Sequence, residues 1–123
     1  MLTFEIRGIP RTKKNSQRIV PVGNRITIRQ SKPYEEYEAA ALWQLPRLKQ
    51  PIGSPVNLKC VYYMPTLRRV DLVNLLEATC DILVKGHVLS DDNSRIVASH
   101  DGSRVFVDRE RPRVEITIEE TGK

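Results

Sequence analysis

The 123-residue chain suffices for a single domain, 1–123, that buries roughly two-thirds of its unfolded surface, and its 40% hydrophobic and 28% charged residues are those of an ordinary globular protein. No run approaches the roughly 20 apolar residues of a membrane span, and Met1 leads straight into LTFEI, so a cytoplasmic protein with no membrane partner is expected. The net charge of +5 is unevenly placed: thirteen Lys and Arg against four Glu up to Val70, then seven against eleven acids from Asp71 onward. A basic half suited to a polyanion is joined to an acidic half suited to a cation, although two halves that neutralise each other would give the same totals.

In chain order, residues 2–9 alternate as a strand that Gly8 and Pro10 end. A basic loop follows with Arg11, Lys13, Lys14, Asn15 and Arg18; its plain reading is a solvated loop, its functional reading is contact with phosphates. RIVPV and RITI flank Gly23-Asn24, a tight hairpin turn, with Pro21 confining the first arm to an edge. Ser31 is the expected N-cap of a helix from Pro33 to about Leu45, stopped by Pro46. PRLKQPIGSP reads as a linker inside the domain, and Val56–Met64 is the strongest strand by β-branched and aromatic content. The loop TLRRV then delivers Arg68 and Arg69 directly to Asp71.

The stretch DLVNLLEATCDILVK, wound at about 100° per residue, places Asp71, Asn74, Ala78, Asp81 and Lys85 on one narrow stripe with Glu77 at its edge. Its opposite face, with Leu72, Leu75, Leu76, Thr79, Ile82 and Leu83, is wide enough to lie on a sheet. Gly86 ends the helix, and Asp91 and Asp92 follow in an acidic turn. Strands are expected at about 95–99, at VFV and at RVEITI, giving an α/β (α+β) single-domain fold with two main helices on one mixed sheet.

Carboxylates converging from a helix and a nearby loop are what a hard cation such as Mg²⁺ takes, and metal-assisted phosphodiester hydrolysis is the matching reaction class. Each acid also has a plain role: Asp71 as an N-cap, Asp91 and Asp92 as turn formers, Asp81 as the i, i+4 partner of Lys85. It is the combination of acidic stripe, acidic pair and upstream arginines that favours a site. Cys60 and Cys80 sit singly in apolar segments and read as buried thiols, and His87 and His100 as structural or exposed. Without a P-loop, G-x-G-x-x-G or Ser-His-Asp order, no nucleotide cofactor is expected.

The run RRVDLVNLLEATCDILVKGHVLSDD resembles the core motif of the RusA family of Holliday junction resolvases: arginines, D-x-D-N-L, a helical Asp and a D-D pair about ten residues on. IPRTKKNSQ, the strand ending in Met64-Pro65 and the terminal RVEITI extend the likeness over the chain. The resemblance implies a small homodimer, often of phage or prophage origin. It would bind four-way or branched DNA in recombination and repair and nick it in pairs with Mg²⁺, Mn²⁺ being the expected substitute. Carried over by position, it implies catalytic roles for Asp71, Asp81, Asp91 and Asp92, with Asp71 and Asp92 foremost, and matches Asn74 and Leu75 to the motif's N-L. Two positions depart: Val73 stands for the motif's second Asp and Glu77 for a supporting lysine. Glu77 is therefore expected to compensate as a ligand, giving a metal set of Asp71, Asp81, Asp92 and Glu77. Asn74, Lys85, Arg68 and Arg69 join the basic loop as DNA contacts. The rival reading is a junction-binding protein of the same fold that has lost hydrolysis.

Overall fold

The computed structural model describes residues 1–13 and 17–121, without the side chains of 17–20 and 27–30. Strand β1 (Leu2–Arg7) is followed by β2 (Gln17–Val22) and β3 (Arg25–Gln30), helix α1 (Lys32–Gln44), β4 (Val56–Met64), helix α2 (Leu72–Lys85), and strands β5 (Val97–Ser99), β6 (Arg104–Val107) and β7 (Arg113–Glu120). The two helices and mixed sheet form the expected small α+β fold.

β7 is antiparallel to β1 on one side and to β4 on the other, with Cys60 opposite Ile116 and Ile6 opposite Val114. The far edge of β4 is shared: β5 runs parallel to its beginning and β6 parallel to its end. α2 is thus the crossover between two parallel strands, the arrangement that sends a helix across a sheet face. Period-two burial selects Val56, Leu58, Cys60 and Tyr62 from β4 and Val114, Ile116 and Ile118 from β7. They join Leu75, Leu76, Cys80, Ile82 and Leu83 of α2 and Ala41 of α1 in one core.

Several local expectations change. The hairpin does not join the main sheet; β2 and β3 pair only with each other as a separate two-stranded sheet. β1 ends at Arg7; Gly8 adopts φ 122, a value that favours glycine, while its N–H still donates to Pro112 O at 3.2 Å. β5 starts at Val97, since Asn93 uses its carbonyl to turn the chain: the N–H groups of Ile96 and Val97 both donate to Asn93 O. Ser31 caps α1 as expected, accepting from Tyr34 N at 3.3 Å. The proline-rich linker is tied down, with Ile52 N donating to Val88 O and Ser90 N to Ile52 O.

Candidate active site and basic cleft

The C-terminal end of β4, where a parallel strand hands over to its crossover helix, is where open sheets of this kind bind ligands. Here a cleft of about 510 Å³ is walled by three separate segments: Ile9–Thr12, the start of α1 (Ser31, Pro33, Tyr34), and Met64 to Val70 with Thr66, Arg68 and Arg69. Arg11, Arg68 and Arg69 are exposed and have no acidic partner among the described residues. The beginnings of both helices border the cleft, adding the positive ends of two helix dipoles to three guanidinium charges.

Asp71 follows directly on this wall. It occupies the N-cap of α2, yet its carboxylate makes no cap bond; its backbone carbonyl accepts from Asn74 N and Leu75 N instead. One carboxylate oxygen accepts from Asn74 Nδ2 at 3.2 Å, so Asn74 orients Asp71. The N-cap reading is right about position and wrong about the side chain, which leaves an exposed anion at the edge of the basic cleft.

Asp81 lies further along the same stripe, and a stripe has length. Ten residues at about 1.5 Å each put it roughly 15 Å from Asp71 along the axis of α2, too far for one ion to join both. Asp81 instead receives Lys13 Nζ at 2.8 Å. That hydrogen bond, with the charges of Asp81, Glu77 and Glu38, raises the Lys13 ammonium against the opposing effect of burial. Lys85 is not the partner of Asp81; its ammonium is held by Glu38 at 2.7 Å, an ion pair that joins α2 to α1. Ala78, in the middle of the stripe, is buried, so the stripe is partly roofed over.

Asp91 behaves as a turn former: its oxygens accept from Asp92 N at 2.7 Å and Asn93 Nδ2 at 3.2 Å. Asp92 differs. Burial first, then a hydrogen bond with Asp91 and the charges of Asp81 and Asp91, hold its carboxyl above the usual range. Asp92, Asp81 and Glu77 also act together on Cys80, whose buried thiol is pushed up to about 12, chiefly by burial. The fold thus brings Asp81, Asp92 and Glu77 into one electrostatic neighbourhood and leaves Asp71 beside the arginines. Val73, one turn before Glu77 on the same side of α2, is 72% exposed.

The two parts are contiguous. The loop that lines the cleft with Arg11 and Thr12 continues into Lys13 at Asp81. Tyr34 walls the cleft, and its hydroxyl is raised by burial and by the charges of Glu38, Asp81 and Glu77. Lys14 and Asn15 lie outside the described residues, as does the side chain of Arg18. The cleft residues Thr12, Ser31, Tyr34 and Thr66 were not legible as site residues, because they come from three segments with no common motif. His100 is structural, its Nδ1 2.8 Å from Leu58 O, and His87 is exposed at φ 62.

Comparison with protein families decides the identity. The model for the endodeoxyribonuclease RusA matches residues 8–119. The chain belongs to the RusA family. A search of curated proteins finds no match. RusA proteins are endodeoxyribonucleases that act on branched DNA junctions, and the match spans the basic loop, the arginine wall, both helices and the acidic turn.

Oxygen-only donors fit a hard cation, and a cation there would offset the burial and the neighbouring carboxylates that raise the Asp92 carboxyl. Among the described residues no three acidic, His or Cys side chains form a ready ligand set. Mg²⁺ in general uses one or two carboxylates and fills its shell with water and substrate phosphate.

Proposed function

We propose that this RusA-family chain is a Mg²⁺-dependent endonuclease that resolves four-way DNA junctions by paired phosphodiester cleavage, as a homodimer in recombination and repair. The observation that carries the reading is the basic cleft, with three arginines that have no acidic partner among the described residues, ending at Asp71, whose carboxylate makes no cap bond. Arg11, Arg68 and Arg69 bind the phosphate backbone, while Lys13, fixed by Asp81, extends the positive lining toward Asp92. Asp92 with Asp81 are the carboxylates that would hold the ion within one chain, and Glu77 beside them supplies the charge that Val73 lacks. Asp71, roughly 15 Å away along α2, is the carboxylate beside the arginine-bound backbone. Mg²⁺ held by Asp92 and Asp81 would neutralise an oxygen of the scissile phosphate and lower the pKa of an attacking water. In the reaction a water oxygen bonds to phosphorus as the bond to the leaving sugar oxygen breaks; the water gives a proton to solvent and the leaving oxygen takes one up. Two symmetric cuts require two sites related by a two-fold axis, which a homodimer supplies.

The experiment is cleavage of a synthetic four-way junction by wild type and by Asp71→Asn, Asp92→Asn and Glu77→Gln. Loss of either aspartate is expected to lower cleavage by orders of magnitude while junction binding persists. Cleavage by Glu77→Gln at the wild-type rate would remove Glu77 from the ligand set and leave the rest standing.

A further inference from the structure

We propose that the cleft walled by Ile9–Thr12, Ser31, Pro33, Tyr34 and Met64–Val70 is a pocket for one unstacked nucleotide of the DNA strand, its base on the apolar wall and its phosphate on the arginines. This rests on the endonuclease reading and names a site within it. A volume of about 510 Å³ falls in the range of small-ligand pockets; it holds one nucleotide and no length of duplex. The lining is divided: Ile9, Pro10, Pro33, Met64, Pro65 and Val70 give it an apolar wall next to Arg11, Arg68 and Arg69. Proline rings and a methionine thioether are good neighbours for an aromatic face, and guanidinium planes stack on bases as well as pairing with phosphates.

A second, independent observation is Tyr34. It is 1% exposed, and its hydroxyl is a buried side-chain polar atom with no hydrogen-bond partner among the described residues. Buried hydroxyls are nearly always bonded, and the residue that carries this orphan lines the cleft. The hydroxyl stays protonated, because burial and the charges of Glu38, Asp81 and Glu77 oppose its ionisation, and so it is a donor suited to a base carbonyl, a ring nitrogen or a phosphate oxygen. Enzymes that do chemistry on a base take it out of the stack into such a pocket, and at the branch point of a junction, where the run of stacked pairs is interrupted, unstacking costs least.

The test places the fluorescent base 2-aminopurine at each position around the branch of a four-way junction and binds the protein without divalent cations, so that no cleavage occurs. A several-fold rise confined to one position at or beside the branch is expected, since a base withdrawn from its neighbours loses their quenching. Ile9→Trp, which fills the pocket, should abolish that rise and weaken junction binding about tenfold. Tyr34→Phe, which keeps the shape and removes the hydroxyl, should reduce it. A junction that is bound and, with Mg²⁺, cleaved, yet shows no localised rise, overturns the pocket and leaves the endonuclease reading intact. A rise that survives Ile9→Trp also overturns it. If no junction complex forms at all, the endonuclease reading fails and the pocket with it.

Discussion

Single residues here split between those that hold the fold and those that the fold leaves unsatisfied. Tyr34 is of the second kind, its buried hydroxyl unpaired. An unpaired buried hydroxyl costs about 1–3 kcal/mol, so Tyr34→Phe should stabilise the DNA-free protein by about 1 kcal/mol, read as a higher urea midpoint, while weakening junction binding. Equal or lower stability would mean that the hydroxyl is satisfied in the free protein. Asp108 is of the first kind, accepting from Arg111 N at 3.2 Å and from Arg113 Nη1 at 2.9 Å. The Arg111 N–H first and Arg113 second hold its carboxyl below the usual range. A carboxyl lowered on folding contributes stability above its unfolded pKa and loses it as pH falls through the folded value. Asp108→Asn should therefore be less stable than wild type near neutrality, and the gap should close as pH falls below about 4, the unfolded value, and through the lower folded one.

At the scale of elements, α2 was the most legible part of the chain. Its limits, its buried face and its Gly86 stop follow from a 3.6-residue period and a capping residue, both local properties. What a helical wheel discards is rise, and so Asp71 and Asp81, correctly placed on one stripe, proved to be roughly 15 Å apart along it. The partners of Asp81 and Lys85 were equally illegible, since Lys13 and Glu38 reach them from distant segments. α2 is also pinned to the sheet by a buried polar contact: Tyr62 Oη and Thr79 Oγ1 are 2.6 Å apart. Thr79→Val should cost about 1–3 kcal/mol by stranding the Tyr62 hydroxyl, and the double variant with Tyr62→Phe should recover much of that loss in a double-mutant cycle. Additive losses would show that the two hydroxyls are independently satisfied.

At the scale of the molecule, alternation, turn residues and order of elements gave the α+β class and most strand positions. The separate hairpin sheet was not legible, because pairing partners are chosen by tertiary packing and β2 and β3 carry no mark that excludes them from the main sheet. The cleft escaped for the same reason: residues near 10, 32 and 67 meet only in the folded chain. Once assembled, it gives the uneven charge a purpose, with the basic half lining the cleft and the acidic half beginning at its rim. Neutralising Arg68 and Arg69 together should weaken binding to all DNA sequences alike and lower the salt dependence of log K by about 2, against log salt concentration. An unchanged slope would place the phosphates elsewhere. The central claim is tested most directly by incubating the wild-type protein and Asp71→Asn with a labelled four-way junction, with and without Mg²⁺, and resolving the strands on a denaturing gel. Paired nicks from the wild type with Mg²⁺, and from neither protein without it, are predicted, with Asp71→Asn binding but not cutting. A junction shifted by the wild type but never nicked, or nicked equally well by Asp71→Asn, would contradict the account.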